Sequence, residues 1–286
     1  MNRKLNTSLL VMLSVLLLNN HVYAETSAMK AEQDTKPLTL GLLPHLNSRK
    51  LLKVYDPLIK YLEQTLQRQV NATTAHDFTT YYKRSSQGEY DLYLTAPHHA
   101  AYVELHNKAR RLAKFARPLY SVFVVHKNSR YQTIVDLKGG VIAMPDHLSV
   151  TSIVGELTLV DNGLILNKDV TIKYSGTHSN AMTLAAGKFV DAAIVGVSAF
   201  EKMDKKFTKH LRILVKNRVI PHMMFMAKSK MENEEYKIIK KAMLDFNAKG
   251  AGKKFFYDSI FGDMSNITDE DMQRLAPLLP ILSDRI

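Results

Sequence analysis

Residues 38–66 read LTLGLLPHLNSRKLLKVYDPLIKYLEQTL, and two different periodicities meet inside them. Leu38 to Leu43 is a short, mostly apolar run closed by Pro44, as in a buried strand. From Lys50 to Leu66 the apolar residues Leu51, Leu52, Val54, Tyr55, Leu58, Ile59 and Leu62 recur three and four apart. That spacing predicts an amphipathic helix. The alternation continues: Val70–Ala75 reads as a strand, Phe78–Gln87 as a helix, and Tyr90–Thr95 as a third strand. Pro97 then opens another helix, where its missing N–H leaves no bond unmade. Strand followed by helix, repeated, argues an α/β sheet.

A second such unit begins after Tyr120. Ser121–His126 reads as a β-rich crossing segment, and Asp136–Gly140 (DLKGG) as a turn into the strand Val141–Met144. Ser149–Asp161 is predicted helical, Val170–Tyr174 extended, Asn180–Ala186 helical and Ala192–Val195 extended. Strands at Arg212–Val215 and Met223–Ala227 follow, then helices at Glu234–Asn247 and Asp269–Leu275. The second unit is inserted in the first. This predicts one lobe of residues 37–122 plus 223–286 and an inserted lobe of 123–222, joined near 121–126 and 219–226.

The N-terminus has the order of a secretory signal: Arg3 and Lys4, an apolar run from Leu9 to Leu18, then small residues ending at Ala24. The run is about half of the roughly 20 residues that a spanning helix needs. Residues 1–24 are therefore expected to be cut after Ala24, leaving 25–36 as a flexible leader and a protein free in the periplasm. The 286 residues include no cysteine, so neither a lipid-bearing cysteine nor a disulfide is available. An apolar fraction of 46% excludes a disordered chain. The net charge of +12, two of it in the signal, favours anionic partners; export argues against nucleic acid.

Candidate binding residues cluster at predicted strand ends. MPDHLSVTS (144–152) follows a strand and opens a helix, so Ser149, Thr151 and Ser152 stand beside unpaired first-turn N–H groups. The helix dipole adds positive potential there, which suits an oxyanion, although Ser149 alone would also be an ordinary N-cap. YSGTHSN (174–180) offers His178, able to donate to an anion or, when protonated, to balance its charge. Thr95, His98 and His99 lie at a third strand end and His45 at a fourth. Ligands of open α/β sheets collect at the carboxyl ends of strands, so a cleft between the lobes is the expected site.

Read in order, DLYLTAPHHAAY (91–102), PLYSVFVVHKNSRYQTIVDLKGGVIAMPDHLSVTS (118–152) and YSGTHSNAMTLAAGKFVDAAIV (174–195) resemble the phosphonate/phosphite/phosphate-binding proteins of ABC transporters. The resemblance implies a two-lobed type II periplasmic binding protein, each lobe a mixed sheet flanked by helices. It also implies that Ser149 and Thr151 match two serines of a Ser-Thr-Ser anion cradle, and His178 a histidine touching the phosphoryl oxygens. Val150 replaces the middle threonine, and Ala96-Pro97 stands for the family's Gly-Pro. The acidic residue that holds a ligand amine is missing from Val195–Ser198, which disfavours aminoalkylphosphonates.

The expected function is capture of a small oxyanion, by a monomer without cofactor or bound metal, for an ABC permease. Two other readings stay open: a metal or metal-chelate receptor using the strand-end histidines, and an accessory docking on a sensor kinase. No nucleophile elbow, paired-carboxylate or zinc-hydrolase motif suggests an enzyme.

Overall fold

Two twisted mixed sheets organise the chain in the computed structural model, which describes residues 36–286 apart from Ile260. The expected signal and nearly all of the leader lie outside the described residues. In the first unit, β1 (Leu38–Leu42) leads to α1 (Ser48–Leu66), β2 (Val70–Thr73) to α2 (Phe78–Ser86), and β3 (Leu92–Thr95) to α3 (Pro97–Asn107). β4 (Arg110–Phe115) completes this part. The chain then forms β5 (Ser121–His126), β6 (Val141–Met144), α4 (Val150–Asp161), β7 (Thr171–Tyr174), α5 (His178–Ala186) and β8 (Ala192–Gly196). α6 (Val197–Lys202), α7 (Lys205–Thr208) and β9 (Leu211–Lys216) close the second unit. β10 (Met224–Ala227), α8 (Asn233–Asp245), α9 (Gly250–Ser259), β11 (Met264–Ser265), α10 (Asp269–Leu275) and α11 (Leu279–Ser283) return to the first.

The first sheet runs β11-β4-β10-β3-β1-β2 and the second β7-β6-β8-β5-β9. β1 is parallel to β2 and β3, whereas β10 runs antiparallel between β3 and β4. In the second sheet β6 is parallel to β7 and β8, and β5 is antiparallel to β8 and β9. Ser121–His126 is thus a sheet strand, correcting its reading as a crossing segment. Its residues 121–125 are buried, as a strand flanked on both edges must be. The chain passes between sheets just before it, where Leu119 and Ile220 exchange backbone hydrogen bonds of 2.9 Å.

The face of α1 drawn from the sequence is the one that packs: Leu51, Tyr55, Leu58 and Leu62 are fully buried. Each such burial stabilises by about 1.5–3 kcal/mol. Strand β4 was not anticipated, because Arg110, Arg111 and Lys114 interrupt its apolar pattern. Partners make those charges tolerable there: Arg111 meets Glu104 at 2.7 Å and Asp269 at 2.6 Å, Lys114 meets Asp271 at 2.5 Å, and Arg110 donates to the Met231 carbonyl at 3.0 Å. Helix α9, also unanticipated, depends on Gly252, where a Cβ would lie 1.8 Å from the Phe246 carbonyl oxygen.

Candidate functional site

A cavity of about 770 Å³ opens where the carboxyl ends of β1, β3, β6 and β8 face one another. Its lining includes Ser149 and Thr151 at the start of α4, His178 at the start of α5, and Gly196 at the end of β8. Ser149 caps α4: its Oγ accepts the Thr151 N–H at 3.3 Å. The preceding loop is pinned from three sides. Asp146 Oδ1 accepts the Leu148 N–H at 2.8 Å, His98 Nε2 donates to the Leu148 carbonyl at 3.0 Å, and Arg285 Nη1 donates to the His147 carbonyl at 2.6 Å.

The convergence is sharpest above Gly196. A Cβ built there would lie 3.7 Å from His178 Cε1, 4.0 Å from His178 Nε2 and 3.9 Å from Thr151 Oγ1. Glycine leaves that point empty, with both donors within about 4 Å of it. The Gly196 N–H donates to His178 Nδ1 at 3.2 Å. An acceptor at Nδ1 puts the proton of the neutral ring on Nε2, which makes Nε2 a donor toward the same space.

The imidazole charge departs from expectation. Burial, reinforced by the nearby His45, lowers the His178 pKa to about 4. His45 is lowered to about 4, chiefly by burial with Lys202 adding to it, and His222 to about 3 by burial and then by His45 and Arg117. Three neutral imidazoles therefore line the cavity at neutral pH. The positive potential comes instead from Lys50, Lys53, Lys202 and Lys254. Lys202 Nζ donates to the Ser259 carbonyl at 3.2 Å, and burial followed by Lys50 and Arg117 lowers its pKa. Asp258 is the one carboxylate in the lining among the described residues, and Lys254 holds it at 2.7 Å.

Of the residues singled out in the sequence, Ser149, Thr151, His178 and His45 come together on this cavity; Ser152, Thr95, His98 and His99 do not line it. His45 donates from Nδ1 to the Leu43 carbonyl at 2.9 Å. Ser152 is wholly buried, its hydroxyl without a partner among the described residues. Thr95 Oγ1 is hydrogen-bonded to His99 Nδ1 at 2.9 Å, and the His99 ring stacks on Tyr82 at 3.8 Å. His98 and His99 follow Pro97 inside a buried helical turn, so they brace α3 and the cradle loop. Among the described residues no group of three or more His, Cys, Asp or Glu could hold a metal ion, and the metal-receptor reading is not favoured.

Gly196, Lys202 and His222 also line the cavity, and no donor pattern in the sequence singled them out for an anion. Gly196 contributes by lacking a side chain, which no donor pattern reveals. Val195-Gly196-Val197-Ser198 drew notice only for its missing acid; in the structure Gly196, Val197 and Ser198 all line the cavity.

Three solved structures share the architecture. PhnD1 from Prochlorococcus marinus in complex with methylphosphonate matches with a TM-score of 0.78 at 17% identity, over 87% of this chain and 98% of that one. A binding protein component of an ABC phosphonate transporter from Pseudomonas aeruginosa gives 0.75 at 16% identity, over 85% of each chain. The periplasmic aliphatic sulphonate binding protein SsuA from Escherichia coli gives 0.59 at 14%, over 87% of each. At these identities the likeness shows the two-lobed periplasmic binding protein fold. The model of the family described as ABC transporter, phosphonate, periplasmic substrate-binding protein matches residues 40–272. That span runs through both sheets and every residue of the cradle, so the chain belongs to the periplasmic substrate-binding proteins of phosphonate ABC transporters.

Proposed function

We propose that the protein captures an oxyanion, foremost a phosphonate, in the cleft between its lobes and presents it to an ABC permease without chemically altering it. The observation that carries this reading is the empty point above Gly196, within about 4 Å of Thr151 Oγ1 and His178 Nε2. Oxygens of a phosphonate head placed there would accept from the Thr151 hydroxyl, the His178 Nε2–H and the first-turn amides of α4. Hydrogen bonds to an ionised acceptor are roughly twice as strong as neutral ones. The helix dipole favours negative charge at the same place, and Lys50, Lys53 and Lys202 add positive potential to the cavity as a whole.

In this reading residues 1–24 direct export to the periplasm and the protein acts as a monomer. The lobes divide at the paired segments around Leu119 and Ile220, with β5 from Ser121 onward in the second lobe, and rock about those segments. Closure is favoured because the ligand contacts both lobes only when they are closed. The test is calorimetric titration with methylphosphonate, phosphite, phosphate and sulfate, supported by thermal shift, since a ligand of the folded state raises its melting midpoint. Binding of phosphonate ahead of sulfate supports the reading; binding of none of these anions overturns it.

A further inference from the structure

The cavity is much larger than the cradle. Methylphosphonate is one carbon, one phosphorus and three oxygens, whereas about 770 Å³ lies within the ~300–1,000 Å³ of pockets that hold drug-sized ligands. The surplus space is walled by apolar groups: Leu46, Val54 and Pro57 on one side, Phe255 and Phe261 on the other.

This wall belongs to the first lobe alone, so hinge motion does not dismantle it. Tyr55 of α1 packs on Phe255 of α9 at 5.9 Å between ring centroids, and Phe261 stands 4.6 Å from Phe115 of β4. The lobes are also already in contact around the cavity. Leu148, Val150, Ile153 and Val154 share one buried cluster with Leu43 and Phe255, and Lys202 of α6 reaches the Ser259 carbonyl of α9. The volume is therefore that of apposed lobes rather than of a gaping cleft.

Charge limits what can fill it. Among the described residues Asp258, already paired with Lys254, is the only carboxylate in the lining, so a ligand ammonium finds no free partner among them. Lys50, Lys53 and Lys254 are exposed and stand at the rim, where their heads stay in water and their stems extend the apolar wall.

We infer that the natural ligand is an organophosphonate whose uncharged body of several carbons lies along Leu46, Val54, Pro57, Phe255 and Phe261, its head resting above Gly196. This inference rests on the cradle reading and specifies the part of the ligand that the cradle does not touch. A body that replaces water beside these side chains gains apolar burial, and each methylene that enters raises affinity about fourfold.

The experiment is calorimetry with methyl-, ethyl-, propyl-, butyl- and phenylphosphonate, which share one head group. The expected result is affinity rising along the alkyl series, with butylphosphonate on the order of 60-fold tighter than methylphosphonate. Val54 is only partly buried and faces the cavity, so Val54→Ser should fold and should narrow that ratio. Its melting midpoint is recorded alongside. The wild-type series decides the matter should the variant fold poorly. A flat or falling series with methylphosphonate still bound overturns this inference and leaves the cradle reading standing; failure of every phosphonate to bind overturns both.

Discussion

Gly196→Ala isolates the cradle from the fold. The backbone there has φ −65° and ψ 139°, which alanine adopts freely. Its Cβ would sit 3.7 Å from His178 Cε1 and 3.9 Å from Thr151 Oγ1, at ordinary van der Waals contact. Nothing has to move, and removing glycine's freedom from the unfolded chain stabilises by about 0.4–1 kcal/mol. The methyl nevertheless occupies the space that an oxyanion oxygen needs to reach Thr151 and His178. Losing two hydrogen bonds to a charged group costs about 1.5–3 kcal/mol each. Together that is roughly two to four orders of magnitude in Kd. Calorimetry with methylphosphonate measures the loss, and thermal denaturation without ligand measures the stability. A variant as stable as the wild type that binds with unchanged affinity would refute the placement of the anion above Gly196.

Other expectations follow from the same geometry. Thr151→Val keeps the shape and removes one donor, so affinity should fall by about 1–3 kcal/mol; Ser149→Ala is a less clean probe, because it also removes the cap of α4. His222 is buried and His45 and His178 are half-buried, all three neutral, with pKa lowered to about 3, 4 and 4, against about 6.5 when unfolded. Below that value the unfolded chain binds more protons than the folded one. Stability is therefore full above about pH 6.5 and lost as pH falls toward 4, at a cost on the order of 3 kcal/mol for the buried His222 and less for the half-exposed His45 and His178. A melting midpoint independent of pH between 6.5 and 4 would contradict their burial. Binding of a fixed-charge anion such as methanesulfonate should be flat from pH 7 to 9 and strengthen on acidification as His178 and His45 gain protons; His178→Gln should reduce that rise to the part that His45 supplies. Glu156, 3% exposed, is held by both Arg285 Nη atoms and by the Tyr174 hydroxyl at 2.7 Å. Arg285→Met leaves this carboxylate unpaired and should destabilise by about 3–5 kcal/mol, read from denaturant unfolding.

Periodicity made most of the fold legible. β1, α1, β6, α4 and α10 stand within about two residues of where their apolar spacing puts them. It failed where other forces override it. β4 carries three basic residues that partners elsewhere in the chain make acceptable in a sheet, acids for Arg111 and Lys114 and the Met231 carbonyl and Tyr236 ring for Arg110, and α9 begins with glycines that a helix ordinarily avoids. The site was legible where its chemistry is local. A serine and a threonine at a helix start and a histidine in a strand-to-helix loop can be read in one window. His98 and His99 show the limit, since adjacency in sequence says nothing of whether a ring faces the cavity or the core. Gly196 shows another, because empty space has no motif. The neutral state of His178 likewise depends on burial by residues distant in sequence.

The most direct test of the account is a crystal structure with methylphosphonate bound. The phosphonate oxygens are expected above Gly196, within hydrogen-bonding distance of Thr151 Oγ1 and His178 Nε2, with the methyl group directed toward Val54 and Phe255. A phosphonate found elsewhere in the cavity, away from Thr151 and His178, would contradict it.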